Sequence, residues 1–211
     1  HRIKGLSTLL NDTKDSDSGK IIVAPVQSVM SKLMQPDRWR KYALLLKTTN
    51  RYNLPEIINL LVEAGYERVE TIEGRGQFAL RGGILDVAPY DRDPVRVEFF
   101  DEEIDSIRSF DIETQLSLEK LNEVTLVPAQ EILLDDLMRE KAIERIKVDL
   151  QNHLKRIKDT ACERLEDKIN QFIEKLEVEA IGQGFENYLN YLYRDTELLI
   201  DYFEEGAFVF I

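Results

Sequence analysis

Three stretches of this 211-residue sequence carry residue types that could do chemistry. The first is Gly19-Lys20 behind a polar loop, which has the look of a phosphate-binding loop. That motif, GxxxxGK[ST], needs a glycine at position 14, Ser or Thr at position 21 and a helix beyond, because main-chain N–H groups and the helix N-terminus cradle the phosphates together. Lys14 and Ile21 stand there instead, and an apolar strand-like run follows, so the stretch reads as a loop entering a strand. The second is Asp101-Glu102-Glu103, acids of the kind that hold magnesium at a nucleotide site. Without a phosphate cradle it reads as a hairpin turn. The third is a binding constellation: Arg81, Arg96 and Phe100, with Glu98 and Gln77 at its periphery. Arginines grouped around an aromatic are the types that anchor protein interfaces.

The remaining reactive groups read as structural. His153 lies among Gln151, Asn152 and Lys155, as a solvated side chain does, and His1 is the first residue. Cys162, the single cysteine, sits beside Ala161 with no partner base and no second thiol at ligand spacing, which fits a half-buried structural thiol. Forty Asp and Glu residues are spread so widely that no pair stands out as an acid/base couple. The expectation is a chain with no catalytic residues, no metal site and no cofactor of its own.

Strands must position the binding constellation. Phe78 and Leu80 alternate with Gln77, Ala79 and Arg81; after Gly82-Gly83, Leu85 and Val87 alternate with Ile84, Asp86 and Ala88; then Val95, Val97 and Phe99 alternate with Arg96, Glu98 and Phe100. Period-2 alternation puts one set inward and the other outward. Arg81, Arg96, Glu98 and Phe100 then share an outer face if neighbouring strands stack in phase. A large aromatic beside charges on the wet side of a sheet needs a reason to be there. On pattern alone the same residues also fit a solvated sheet edge capped by Phe100.

Around these strands, Asn53 caps a helix with Pro55 in its first turn, apolar residues Ile57, Ile58, Leu60, Leu61 and Val62, and a stop at Gly65. Strands are expected at 68–72, 77–81, 84–88, 95–100, 103–110 and 123–127. They are so closely spaced that antiparallel hairpins are the expected connection, giving a small antiparallel sheet with one packed helix. Ahead of it, Leu6, Leu9 and Leu10 suggest a helix, 11–19 a polar loop, Ile21–Ala24 a short buried strand, and Val26, Val29, Met30 and Leu33 a helix stopped at Pro36, with 41–49 as a strand or linker. Behind it, apolar residues from Ile143 to Leu176 recur with a mean step of 3.67, so 136–180 reads as one long amphipathic helix or two. Short helices are expected at 185–193 and 198–203, and a strand at 207–211.

Composition bounds the class. The chain is 43% hydrophobic and 32% charged, ordinary for a globular protein, and has neither an 18-residue apolar run nor a signal-like leader. One cysteine fits a reducing, cytoplasmic setting. Starting at His1, it reads as a piece of something longer. The net charge of −12 divides into +5 over residues 1–50, −9 over 51–127 and −8 over 128–211. An acidic body repels a phosphate backbone, which argues against duplex binding by the central and C-terminal parts.

FALRGGILDVAP, PVRVEFFDEEIDSIRSFDIETQLSLEKL and VPAQEILL resemble the N-terminal module of the bacterial transcription-repair coupling factors, the module homologous to the excision-repair protein UvrB. IIVAPVQSVMSKL and GFENYLNYLYRDTELLIDYFEEGAFVFI extend the resemblance to nearly the whole chain. It implies an α/β fold with an α+β insertion: residues 1–49 ending a degenerate RecA-like subdomain, 50–127 a UvrA-binding antiparallel-sheet domain, and 128–211 a helical subdomain returning to the RecA-like sheet. It implies that the chain recruits UvrA to stalled RNA polymerase without catalysis, with Arg81, Arg96 and Phe100 as the contacts. RNA polymerase, DNA, ATP and magnesium would belong to other domains of the full-length translocase. The alternative is a fragment of a UvrB-type ATPase that handles damaged DNA, which an intact phosphate loop upstream of His1 would favour.

Overall fold

A computed structural model describes residues 2–10, 21–155, 160–178, 181 and 184–203. Helix α1 (Arg2–Leu10) turns Leu6 and Leu10 into the core. Helix α2 (Val26–Met30) and α3 (Pro36–Lys41) follow. Pro36, expected as a stop, is instead the first residue of α3, where its missing N–H costs nothing. Trp39 of this helix is almost fully buried. Ile21–Ala24, expected as a buried strand, has no strand assignment, and Ile21 and Val23 are over nine-tenths exposed. An apolar run becomes a strand only when a neighbour supplies the ladder, and no described strand lies beside it.

Strand β1 (Leu44–Lys47) comes next, then helix α4 (Leu54–Glu63). The Asn53 side chain caps α4 by accepting from the Glu56 N–H at 3.2 Å, and Gly65, at φ +84°, lies just past its end, both as the sequence indicates. Only one side of the helix is interior. Ile57 and Leu61 are buried, whereas Leu60 and Val62 are exposed.

Six strands form one sheet in sequence order: β2 (Glu67–Arg68), β3 (Gln77–Arg81), β4 (Ile84–Ala88), β5 (Val95–Phe100), β6 (Glu103–Phe110) and β7 (Ser117–Leu121). From β3 to β7 every pairing is antiparallel, but β2 pairs with β3 in parallel, Glu67 opposite Gln77 and Arg68 opposite Phe78. The expectation of hairpins throughout therefore fails at this edge. A two-residue ladder needs no full crossover, so the short 69–76 segment can return the chain in the same direction. The expected strand at 68–72 shrinks accordingly, and Ile72 is buried outside any strand.

Strand β8 (Glu123–Leu126) leaves the sheet and pairs antiparallel with β1, Leu44 opposite Leu126 and Lys47 opposite Glu123. The polypeptide thus enters and leaves the six-stranded unit through one two-stranded ribbon. Beyond it lie α5 (Asp136–Leu154) and α6 (Thr160–Val178), so the long apolar stripe is carried by two helices packed on each other. A 3-10 turn (Phe185–Tyr188), α7 (Leu189–Leu192) and a second 3-10 turn (Leu199–Tyr202) complete the described chain. The polar loop at 11–19 and the strand expected at 207–211 lie outside the described residues.

One core cluster runs from Leu6, Trp39 and Leu46 through Ile57, Phe78, Leu85 and Val97 to Ile146, Leu176 and Leu192. A second, small one, Ile72, Ala79, Ala88 and Phe110, sits on the opposite face of the sheet. The fold is mixed α/β of the α+β kind. No described helix is long and apolar enough to cross a membrane.

Candidate functional site

Antiparallel register assembles the outer face in rows. Ala79, Asp86, Arg96, Arg108 and Lys120 are successive partners from β3 to β7, and Arg81, Ile84, Glu98 and Ser106 form the next row. Phe78, Leu85, Val87, Val95 and Val97 take the other face and are buried, as the alternation indicates. The turn that brings Arg81 round to Ile84 depends on glycine twice. Gly82 has φ +59°, and a Cβ on Gly83 would stand 2.8 Å from the Phe99 carbonyl oxygen.

The acid between the two arginines, Asp86, decides the geometry. Arg81 Nη2 donates to Asp86 Oδ2 at 2.6 Å; Arg96 Nε donates to Oδ1 at 2.7 Å and its Nη2 to Oδ2 at 2.9 Å. Arg96 is therefore forked onto the carboxylate, and its Nη2 also donates to Gln115 Oε1 at 3.0 Å. Its guanidinium carbon lies 4.7 Å from the centre of the Phe110 ring. The hydrogen bond to Asp86 raises the Arg96 pKa, with desolvation opposing. The Asp86 side chain is 3% exposed, that of Arg96 17% and that of Arg81 48%. A carboxylate this deep is tolerable because two cations and several charge-assisted bonds offset its lost hydration.

The other constellation residues occupy different settings. Glu98 accepts from Ser106 Oγ and Arg108 Nη2, each at 2.6 Å, closing a second ion pair next to the first. Phe100, at the end of β5 beside the Asp101-Glu102 turn, is 81% exposed. Gln77 is occupied elsewhere: its Oε1 accepts from the N–H groups of Glu73 and Gly74 at 3.0 Å and its Nε2 donates to Glu67 at 3.2 Å, pinning the return loop to β2. That loop, with Ile72, and the segment after β6, with Ile112, cover the part of the outer face that holds Ala79, Ala88 and Phe110. The outer face is consequently half covered, and the arginine row lies at the border.

Asp86, Arg108, Phe110 and Gln115 escape a reading based on residue type alone. Alternation already puts Asp86 on the arginine face, so a buried acid between two cations is the signal that could have found it. Arg108 is harder, because β6 carries a register shift against β5 between Glu98 and Phe99 and another against β7. Among the described residues no group of three or more His, Cys, Asp or Glu is placed to hold a metal ion. A groove of about 530 Å³ lined by Ile146, Leu150, Leu165, Ile169, Tyr188 and Tyr191 lies in the helical part, and none of the five constellation residues borders it.

Residues 44–132, from the first residue of β1 to the segment after β8, match the UvrB interaction domain. A transcription-repair-coupling factor of Bacillus subtilis is 33% identical over 90% of the chain and 16% of its own length. Over nearly its whole length the chain is similar to transcription-repair-coupling factors. Coupling factors of Staphylococcus epidermidis, 29% identical over the whole chain and 18% of their length, and of Staphylococcus aureus, 27% over 99% and 17%, agree. The chain spans less than a fifth of the length of the curated relatives it matches. The stretch that matches the UvrB interaction domain comprises the six-stranded sheet with α4 and the β1–β8 ribbon.

Proposed function

We propose that the chain is a non-catalytic docking module that binds UvrA through the outer face of the six-stranded sheet and, within a longer coupling factor, brings excision repair to a stalled RNA polymerase. The observation that carries this reading is the exposed Phe100 on the same face as a half-exposed Arg81 held by a buried acid. An aromatic left in water on the face that carries an ordered cation has the character of an interface anchor. The module itself uses no cofactor in this reading. RNA polymerase, DNA, and ATP with magnesium are the business of other parts of the longer protein.

The test is a calorimetric titration of purified UvrA with the chain and with Phe100→Ala. Phe100 makes no core contribution, so the variant keeps its circular dichroism and melting temperature while binding weakens by more than about 1 kcal/mol. Unchanged affinity in Phe100→Ala, or no binding by the unaltered chain, overturns the assignment.

A further inference from the structure

Resting on that reading, we propose that Asp86 is a positioning residue for UvrA recognition: it fixes the direction of Arg81, and Arg96 works as the clamp that holds Asp86 in place instead of as a contact to the partner. The two arginines look equivalent in sequence, but the structure makes them unequal. Arg96 has one edge of its guanidinium, Nε and Nη2, committed to Asp86, a further bond from Nη2 to Gln115, the Phe110 ring 4.7 Å from its guanidinium carbon and a side chain only 17% exposed. The donors on Nε and Nη2 are thus used inside the protein. Arg81 has one side-chain partner among the described residues, Asp86, and keeps half of its surface in water.

The carboxylate therefore works as a bracket. Arg96 grips it by both oxygens from β5, and the oxygen it shares with Arg81 leaves the remaining Arg81 donors directed outward from β3. An unheld arginine carries large rotamer freedom that binding must remove, whereas one already fixed by an ion pair binds with less loss. Asp86 with Arg81 and Arg96 carries a net positive charge of one, so the group that Arg81 meets is a carboxylate or carbonyl oxygen on the partner. Phe100, on another strand and outside this bonding network, contributes independently.

A double-mutant cycle tests the arrangement, with affinities from titration of UvrA against the chain. Asp86→Asn keeps the side-chain shape and removes the charge; the expected loss is about three- to tenfold, the cost of ordering one long side chain. On an Arg81→Ala background the same change should have no further effect, whereas with Phe100→Ala the losses should multiply. Arg96→Lys, which leaves Asp86 a cation to pair with but no fork, should repeat this pattern and serves if Asp86→Asn does not fold. Direct contact by Arg96 predicts instead that Arg96→Lys and Arg81→Ala multiply, which overturns the proposal. So does an Asp86→Asn loss that persists undiminished on the Arg81→Ala background. If the unaltered chain fails to bind, or Phe100→Ala binds as tightly, the docking reading itself falls. If Phe100→Ala weakens binding and neither Asp86→Asn nor Arg96→Lys does, only the positioning role falls.

Discussion

Three tyrosines show what single residues contribute to tying distant segments of the chain together. Tyr66 donates its hydroxyl to the Val127 carbonyl at 2.6 Å, Tyr193 donates to the Leu133 carbonyl at 3.0 Å while accepting from the Leu133 N–H, and Tyr202 donates to the Met34 carbonyl. Burial raises the pKa of all three, so each stays a donor across the physiological range. Tyr66→Phe would leave a buried carbonyl without its partner, and about 1–3 kcal/mol of stability should be lost in urea unfolding, with UvrA affinity intact. A fall in affinity to match would mean that the outer face depends on this anchor. None of these bonds is visible in sequence, because their partners lie 60 or more residues away. Strand parity, by contrast, is local: it places Arg81, Arg96, Glu98 and Phe100 on one side without any knowledge of the fold. Which acid the arginines would grip is a matter of register, and that parity leaves open.

Among elements, those specified by neighbours in sequence were legible and those specified by distant partners were not. Helix α4 follows from its cap, its proline and its glycine, and the β3–β4 and β5–β6 hairpins from alternation around tight turns. Strand β7, SLEKL, is an exposed edge with no polar–apolar alternation to reveal it, and Ile21–Ala24 has the apolar composition of a strand without a ladder partner. The segment into β7 is set by Asp111, whose Oδ1 accepts from both the N–H and the hydroxyl of Thr114 at 2.8 Å. These bonds, the main-chain one first, hold its pKa below the usual carboxylate value. A lowered folded-state pKa gives stability that is present above the unfolded value and lost as pH falls through the folded one. The melting-temperature gap between the chain and Asp111→Ala should therefore stay constant near neutrality and close as pH falls below about 4. A gap indifferent to acid would assign the turn to its backbone alone. Because Gln115 follows in this turn and touches Arg96, the same acid titration should loosen the clamp on Asp86.

At the scale of the molecule, a chain of net charge −12 displays a row of Arg96, Arg108 and Lys120 on the face where Arg81 and Phe100 emerge. Half-exposed charges at a rim act through a screened field, and an apolar anchor does not. Affinity for UvrA should fall as salt rises from about 0.1 M to about 1 M, while the Debye length contracts from about 10 Å to about 3 Å. The loss should shrink in Arg81→Ala and stay in Phe100→Ala. A salt-independent titration would leave Phe100 as the whole of the contact.

The β1–β8 ribbon fixes how this surface can be inherited. With Leu44 opposite Leu126 and Lys47 opposite Glu123, the host polypeptide is interrupted at a point where its two cut ends already lie side by side, one ladder spacing apart. The inner face of the sheet shares its core with the surrounding helices, but the outer face is turned away from it, so the binding face can diverge without those helices having to follow.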